Sequence, residues 1–165
     1  MAQDTQDEAK RDTTPTHVVT CFLLRQDRGR AEVLLVRRSQ RVRTYRGAWG
    51  GVSGYVEPGV EPLEQAYTEL REEASLTRDD VQLLQVGAAL PLHDDTLDQS
   101  WVVHPFLFAL HANAADRVQT DWEAVEMRWA TPNEVATLPT VPKLAEALAL
   151  VYPPSSQATE GAGPA

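Results

Sequence analysis

The chain of 165 residues carries 24 acidic and 15 basic side chains, a formal net charge of -9 at neutral pH, and a hydrophobic content of 42%. That size suits one domain with a sizeable core, and the acidic balance argues against binding long nucleic acid while leaving room for a small phosphorylated ligand in a locally basic pocket. Cys21 is the one cysteine, so no internal disulfide framework exists. It lies in an apolar run and reads as core.

Residues 1–15 are polar and charged, lack the apolar stretch of a signal peptide, and are expected to be a disordered tail. No segment approaches the roughly 18–20 apolar residues that span a membrane, so the expectation is a cytoplasmic protein with no membrane partner. "HVVTCFLLR" is β-branched and apolar and predicts a strand; "AEVLLVRR" predicts a second, the two forming a hairpin across the turn "QDRGR". "SQRVRTYRGAWGG" has no periodicity and reads as a loop. "VSGYV" is a short strand leading into the turn "EPGVEP", and "LEQAYTELREEAS" is helical. "VQLLQVGAALPL" and "SWVVHPFLFALHA" read as strands joined by the acidic loop "HDDTLDQ", and "AVEMRWA" as another. "TPNEVATL" opens a helix with Thr131 as N-cap and Pro132 at its first position. "VPKLAEALALVY" is the final helix, and the Pro/Gly/Ser/Ala-rich segment 153–165 is a second disordered tail. The domain is thus placed at 16–152, an α+β fold with helices packed on a mixed sheet.

The chemistry lies in the helix after the Gly/Pro turn. At 100° per residue, Leu63, Ala66, Tyr67, Leu70 and Ala74 fall on one core-facing arc. Glu69, Glu72 and Glu73 fall on a neighbouring arc. Like charges this close on a helix cost a few tenths of a kcal/mol per pair unless something neutralises them. A divalent cation does so, and Mg²⁺ and Mn²⁺ prefer oxygen ligands while accepting substrate phosphates in their remaining positions. The Gly54 and Gly59 turn lets backbone approach a ligand closely. Together these features point to metal-assisted hydrolysis at phosphorus.

The stretch Gly54–Leu76 resembles the Nudix box: G, five residues, E, seven residues, then R-E-U-x-E-E-x-G-U, with U bulky and aliphatic. Gly54, Glu69, Leu70, Glu72, Glu73 and Leu76 match; Val60, Thr68 and Ser75 stand where the motif has Glu, Arg and Gly. The resemblance implies an α/β/α sandwich, a mixed central sheet with helices on both faces. It implies hydrolysis of a nucleoside diphosphate linked to another moiety X, with Mg²⁺ or Mn²⁺ as cofactor. By position it makes Glu69, Glu72 and Glu73 the catalytic, metal-binding carboxylates, one of them a general base. It adds the backbone carbonyl of Ser53 as a ligand and a further acid from a downstream loop. Glu123 is the candidate for that acid, with Asp121 and Glu126 as competitors. Dimerisation, common in the family, is a further expectation. A second resemblance is carried by "YRGAWGGVSGYVEP", "WVVHPFLF" and "VPKLAEAL". It is to Nudix domains attached to relatives of a translation initiation factor and of a ribose bisphosphate isomerase, and it implies a substrate such as ADP-ribose or another nucleotide sugar. A nucleoside triphosphate is the other substrate class considered.

Arg37, Arg38, Arg41, Arg43 and Arg46 precede the box. Guanidinium forks match phosphate oxygens, so one or two of them are expected to clamp the diphosphate, with Arg37, Arg38, Arg46 and Gly54 taken as the substrate-binding set. Tyr45 and Trp49 read as core, with base stacking as the alternative. His93, His104 and His111 have no metal-ligand spacing and read as packing or surface residues. The three departures from the motif favour an alternative, a Nudix fold with weak catalysis that senses nucleotides or mediates interactions. The intact Glu69, Glu72 and Glu73 favour the enzyme.

Overall fold

A computed structural model describes residues 14–155; the tails expected at 1–15 and 153–165 lie outside the described residues apart from 14–15 and 153–155. Eight strands form one mixed sheet: β1 (Thr16–Asp27), β2 (Arg30–Arg38), β3 (Trp49–Gly50), β4 (Val52–Tyr55), β5 (Val81–Val86), β6 (Leu90–Asp94), β7 (Gln99–Leu110) and β8 (Ala124–Ala130). Among the described residues three α-helices accompany it: α1 (Pro62–Ala74), α2 (Pro132–Val135) and α3 (Leu144–Ala149). Among the described residues no helix is long and apolar enough to cross a membrane.

β1 organises the sheet. One of its edges runs parallel to β7 from Thr16↔Trp101 to Leu24↔Ala109. The other is shared between two antiparallel partners. β4 takes the first half, from Val18↔Tyr55 to Cys21↔Val52, and β2 takes the second, from Leu24↔Val33 to Asp27↔Arg30. The alternation of side chains along β1 then builds two cores. Val19, Cys21 and Leu23 pack on one face with Ala66, Leu70 and Ala74 of α1. Phe22 and Leu24 pack on the other with Val135, Leu144, Ala147 and Leu148. The result is the expected α/β/α sandwich, and Cys21 is fully buried core, as its apolar setting suggested.

α1 forms where its apolar stripe predicted, with Pro62 in the first turn, Glu64 near its N-terminus and Arg71 near its C-terminus, all favourable positions. It stops at Ser75, which takes a left-handed conformation (φ 60°, ψ 35°). This is the motif position that otherwise holds glycine, and a Cβ there is strained. The Ser75 hydroxyl donates to the Gln119 carbonyl at 3.2 Å.

Three local expectations need correction. "VQLLQVGAALPL" is two strands, because Pro105 in β7 has no N–H with which to continue the ladder. β5 ends opposite Phe106 and β6 starts opposite Val103, so the chain leaves the sheet between them. The loop before the box contains the short strand β3, held by the bonds from Trp49 N–H to Pro139 O and from Val141 N–H to Trp49 O, both 2.9 Å. That commitment of residues 139–141 to β3 also shortens the last helix, which begins at Leu144 after Lys143 turns left-handed (φ 60°).

Replacing Ser75 by glycine is expected to raise stability by on the order of 1 kcal/mol, since relief of the left-handed strain exceeds one exposed hydroxyl bond. Thermal unfolding of Ser75→Gly against the parent chain checks the sign; a lower Tm would show that the Gln119 bond dominates.

Candidate active site

The turn between β4 and α1 brings the acidic side of α1 against the backbone of β4. Gly54 is the closest point. A Cβ built on it would lie 2.1 Å from the Glu69 carboxyl carbon and 2.2 Å from its Oε1, so any side chain at this position displaces Glu69. One residue earlier, the Ser53 N–H donates to Glu73 Oε2 at 3.1 Å. Glu69 is only 8% exposed, and Gln65 Nε2 donates to its Oε1 at 3.0 Å. Glu72, a residue before Glu73, is exposed at the cleft mouth.

Burial of this kind disfavours the charged form of a carboxylate. It is the main reason the Glu69 pKa is pushed up to about 7, with repulsion from Glu72, Glu123 and Asp121 adding to it and the Gln65 bond opposing it. Burial is also the main cause for Glu73, pushed up to about 10, followed by a hydrogen bond to the Glu123 side chain and repulsion from Glu69 and Glu123. No arginine or lysine among the described residues forms an ion pair with Glu69, Glu72, Glu73 or Glu123.

Of the three downstream acids considered, Glu123 reaches this group. Its loop is held by the Ser39 N–H, which donates to Glu123 O at 2.8 Å, and by the Glu123 N–H, which donates to Asp121 Oδ1 at 3.0 Å. Asp121 therefore shapes the Glu123 turn. Glu126 lies on β8, exposed, with its Oε1 3.4 Å from Arg37 Nη1.

The four glutamates line a cleft of about 460 Å³ together with Ser53 and Gly54. Arg38, Arg41, Arg43 and Lys143 also line it, as do Tyr45, Trp101 and Trp122. The five arginines of the basic loop separate into two groups. Arg37 donates to Gly47 O (3.3 Å), Arg38 to Thr44 O (2.9 Å) and Arg46 to Val42 O (2.8 Å), so these three staple their own loop. Of that trio Arg38 alone lines the cleft. Among the described residues Arg41, Arg43 and Lys143 have no side-chain hydrogen bond or ion pair, which leaves three unengaged cations at the cleft.

Tyr45 forms part of the wall. Its ring lies 5.9 Å from that of Trp101, and its hydroxyl donates to Asp94 Oδ2 at 2.6 Å. Burial and that bond raise the Tyr45 pKa. Trp49 is buried core in β3, whereas Trp122 is 58% exposed beside Glu123. The histidines keep to packing and surface roles: His104 Nε2 lies 2.9 Å from His17 Nδ1, and His93 Nδ1 lies 2.7 Å from Ser100 Oγ.

The donor set suits a hard divalent cation, being carboxylate and carbonyl oxygen throughout, with no basic side chain among the described residues paired to it. Among the described residues no three His, Cys, Asp or Glu side chains form a ready-made cation cage, so binding would require the glutamates to turn toward one point.

Against known families, the NUDIX domain model matches residues 14–151. The chain belongs to the Nudix family. Solved structures with the same fold include an Ap4A hydrolase of C. elegans in a binary complex (TM-score 0.69, 20% identity, covering 81% of this chain and 93% of that one). The MutT protein of Methanosarcina mazei Go1 gives a TM-score of 0.67 at 21% identity, with 84% and 93% covered. The NUDIX domain of Shewanella oneidensis NrtR complexed with ADP ribose gives 0.62 at 18%, with 88% and 96% covered. Among curated proteins none matches significantly in sequence. The chain is therefore a Nudix hydrolase, an enzyme acting on phosphoric anhydride bonds, and members of this family generally need a divalent metal.

Sequence reasoning passed over Gln65, Lys143 and Trp122. Gln65 had a readable signal, since it lies four residues before Glu69 and shares its helix face. Lys143 had none, because its approach depends on a left-handed turn set by the pairing of β3.

Gly54→Ala is expected to lower turnover by about a hundredfold, the scale on which a displacement of roughly 1 Å acts on a positioned catalytic group. Steady-state kinetics with saturating Mn²⁺ checks it; parent-like turnover would show that Glu69 need not lie against β4.

Proposed function

We propose that this Nudix hydrolase cleaves the diphosphate of a nucleoside diphosphate linked to another moiety. In this reading Glu69, Glu72 and Glu73 hold Mg²⁺ or Mn²⁺, with Glu123 and the Ser53 carbonyl completing the set. One observation supports it above the others. Among the described residues, four glutamates without basic partners share a cleft with Arg41, Arg43 and Lys143, cations without acidic partners. Each group lacks the charge that a metal–diphosphate complex would bring.

The cation, when bound, supplies charge neutralisation at the anhydride and acidifies bound water. The chain's own residues do the rest. Arg41, Arg43 and Lys143 hold phosphate oxygens, and Arg38 supports them from the same wall. Tyr45, Trp101 and Trp122 offer faces for a base. One of these glutamates accepts the proton of the attacking water. Arg37 and Arg46, bonded into their loop, act by keeping it in shape.

Ap4A, in the name of the C. elegans hydrolase, and ADP ribose, bound to the NrtR domain, share an adenosine diphosphate unit, and the basic and aromatic lining of the cleft supports a substrate of that kind. Phosphate release from Ap4A, ADP-ribose, other nucleotide sugars and nucleoside triphosphates, with Mn²⁺ and with EDTA, tests the reading. Mn²⁺-dependent release from at least one of them is expected, and Glu73→Gln should lower it on the order of a hundredfold or more. Nucleotide binding without release would support a sensing module instead, and equal release by Glu73→Gln would remove Glu73 from the site.

A further inference from the structure

Gln65 is 4% exposed, on the first half of α1, and both ends of its amide are engaged. Its Oε1 accepts from the Glu57 N–H at 3.2 Å, and its Nε2 donates to Glu69 Oε1 at 3.0 Å. A reversed amide would set its NH₂ against the Glu57 N–H and its oxygen against the carboxylate, so the two bonds fix one orientation. The bridged segments are the turn Glu57–Val60, closed by the bond from Val60 N–H to Glu57 O at 3.1 Å, and the glutamate that lies against Gly54.

The motif positions that carry Glu and Arg elsewhere do not make this link. Val60 is apolar. Thr68 turns its hydroxyl back onto α1, donating to Glu64 O at 3.1 Å. Among the described residues Gln65 provides the side-chain hydrogen bonds that join the β4–α1 turn to a site glutamate.

We propose that Gln65 is the positioning residue of this site, tying the β4–α1 turn to Glu69 so that Glu69 presents its other oxygen, Oε2, to the cation. The role rests on the reading of Glu69 as a metal ligand. Burial makes the tie specific, because with Gln65 and Glu69 both shielded, water is poorly placed to replace the lost donor. The amide also stabilises the buried charge on Glu69 without adding a charge of its own, which a basic residue in its place would do at the expense of cation affinity.

Gln65→Met keeps length and volume and removes both bonds. The Mn²⁺ dissociation constant, read from the electron spin resonance of free Mn²⁺, is expected to rise about tenfold or more, the usual effect of losing an outer hydrogen-bond partner of a metal ligand. At saturating Mn²⁺, kcat should fall while the substrate KM stays within roughly twofold, since Gln65 is not placed to contact substrate. A lower Tm with unchanged Mn²⁺ affinity and unchanged kcat would overturn the proposal, because a merely structural residue behaves that way. Gln65→Glu, which keeps the Glu57 bond but turns an oxygen toward Glu69, reads the Glu69 end alone. Weaker Mn²⁺ binding supports the role, and parent-like binding overturns it. Failure of both variants to fold would assign Gln65 to the core and also overturn it. Absence of Mn²⁺ binding in the parent chain would count against the metal-site reading itself, and the Gln65 role would fall with it; parent-like binding in both variants counts against Gln65 alone.

Discussion

The structure depends on one electrostatic conflict. Glu69, buried, and Glu73, half-buried, are pressed against the backbone of β4 beside Glu72 and Glu123, with no basic side chain among the described residues paired to them. Burying such charge is unfavourable unless it is paired or hydrogen-bonded. The fold meets it only in part, through the Ser53 N–H and the Gln65 amide. What remains is a group of oxygens whose energy falls when a cation arrives.

The rest of the architecture makes that conflict possible. β1 is shared along one edge by β4 and β2, and the cleft is lined by residues of all three strands, among them Thr20, Arg38 and Ser53. α1 packs beneath through Ala66, Leu70 and Ala74, which sets its acidic side against Gly54. The loop after β2 folds back with its own arginines as staples, and the turn at Lys143 delivers a further cation from the far side of the sheet. The acidic and basic linings thus come from segments far apart in sequence.

Much of this was legible beforehand, for a physical reason. The central strands are continuous apolar and β-branched runs bounded by turn residues, and α1 separates its apolar and acidic arcs at helical spacing, so element type and the carboxylate cluster follow from local pattern. The left-handed Ser75 accounts for the glycine of the motif, and the contact between Gly54 and Glu69 accounts for the glycine that opens it. Long-range geometry was not legible. Which arginines face the cleft depends on carbonyls at Val42, Thr44 and Gly47, and the reach of Lys143 depends on the pairing of Trp49 with Thr140. The split of β5 from β6 depends on where Pro105 falls in the register of a third strand.

The central claim, that buried carboxylates await a cation, makes stability depend on pH in a definite direction. Above the ordinary glutamate value of 4.5, the unfolded chain gives up protons that folded Glu69 and Glu73 retain until about pH 7 and about pH 10. The folded state then binds more protons, so their contribution to stability falls as pH rises through that window. Thermal unfolding of the parent chain and of Glu73→Gln, at pH 5 and pH 8.5, with and without Mn²⁺, measures this. The parent should lose Tm relative to the variant on going from pH 5 to pH 8.5, and Mn²⁺ at pH 8.5 should raise the Tm of the parent more than that of the variant. The same pH dependence in both proteins, with no greater Mn²⁺ shift in the parent, would contradict the account.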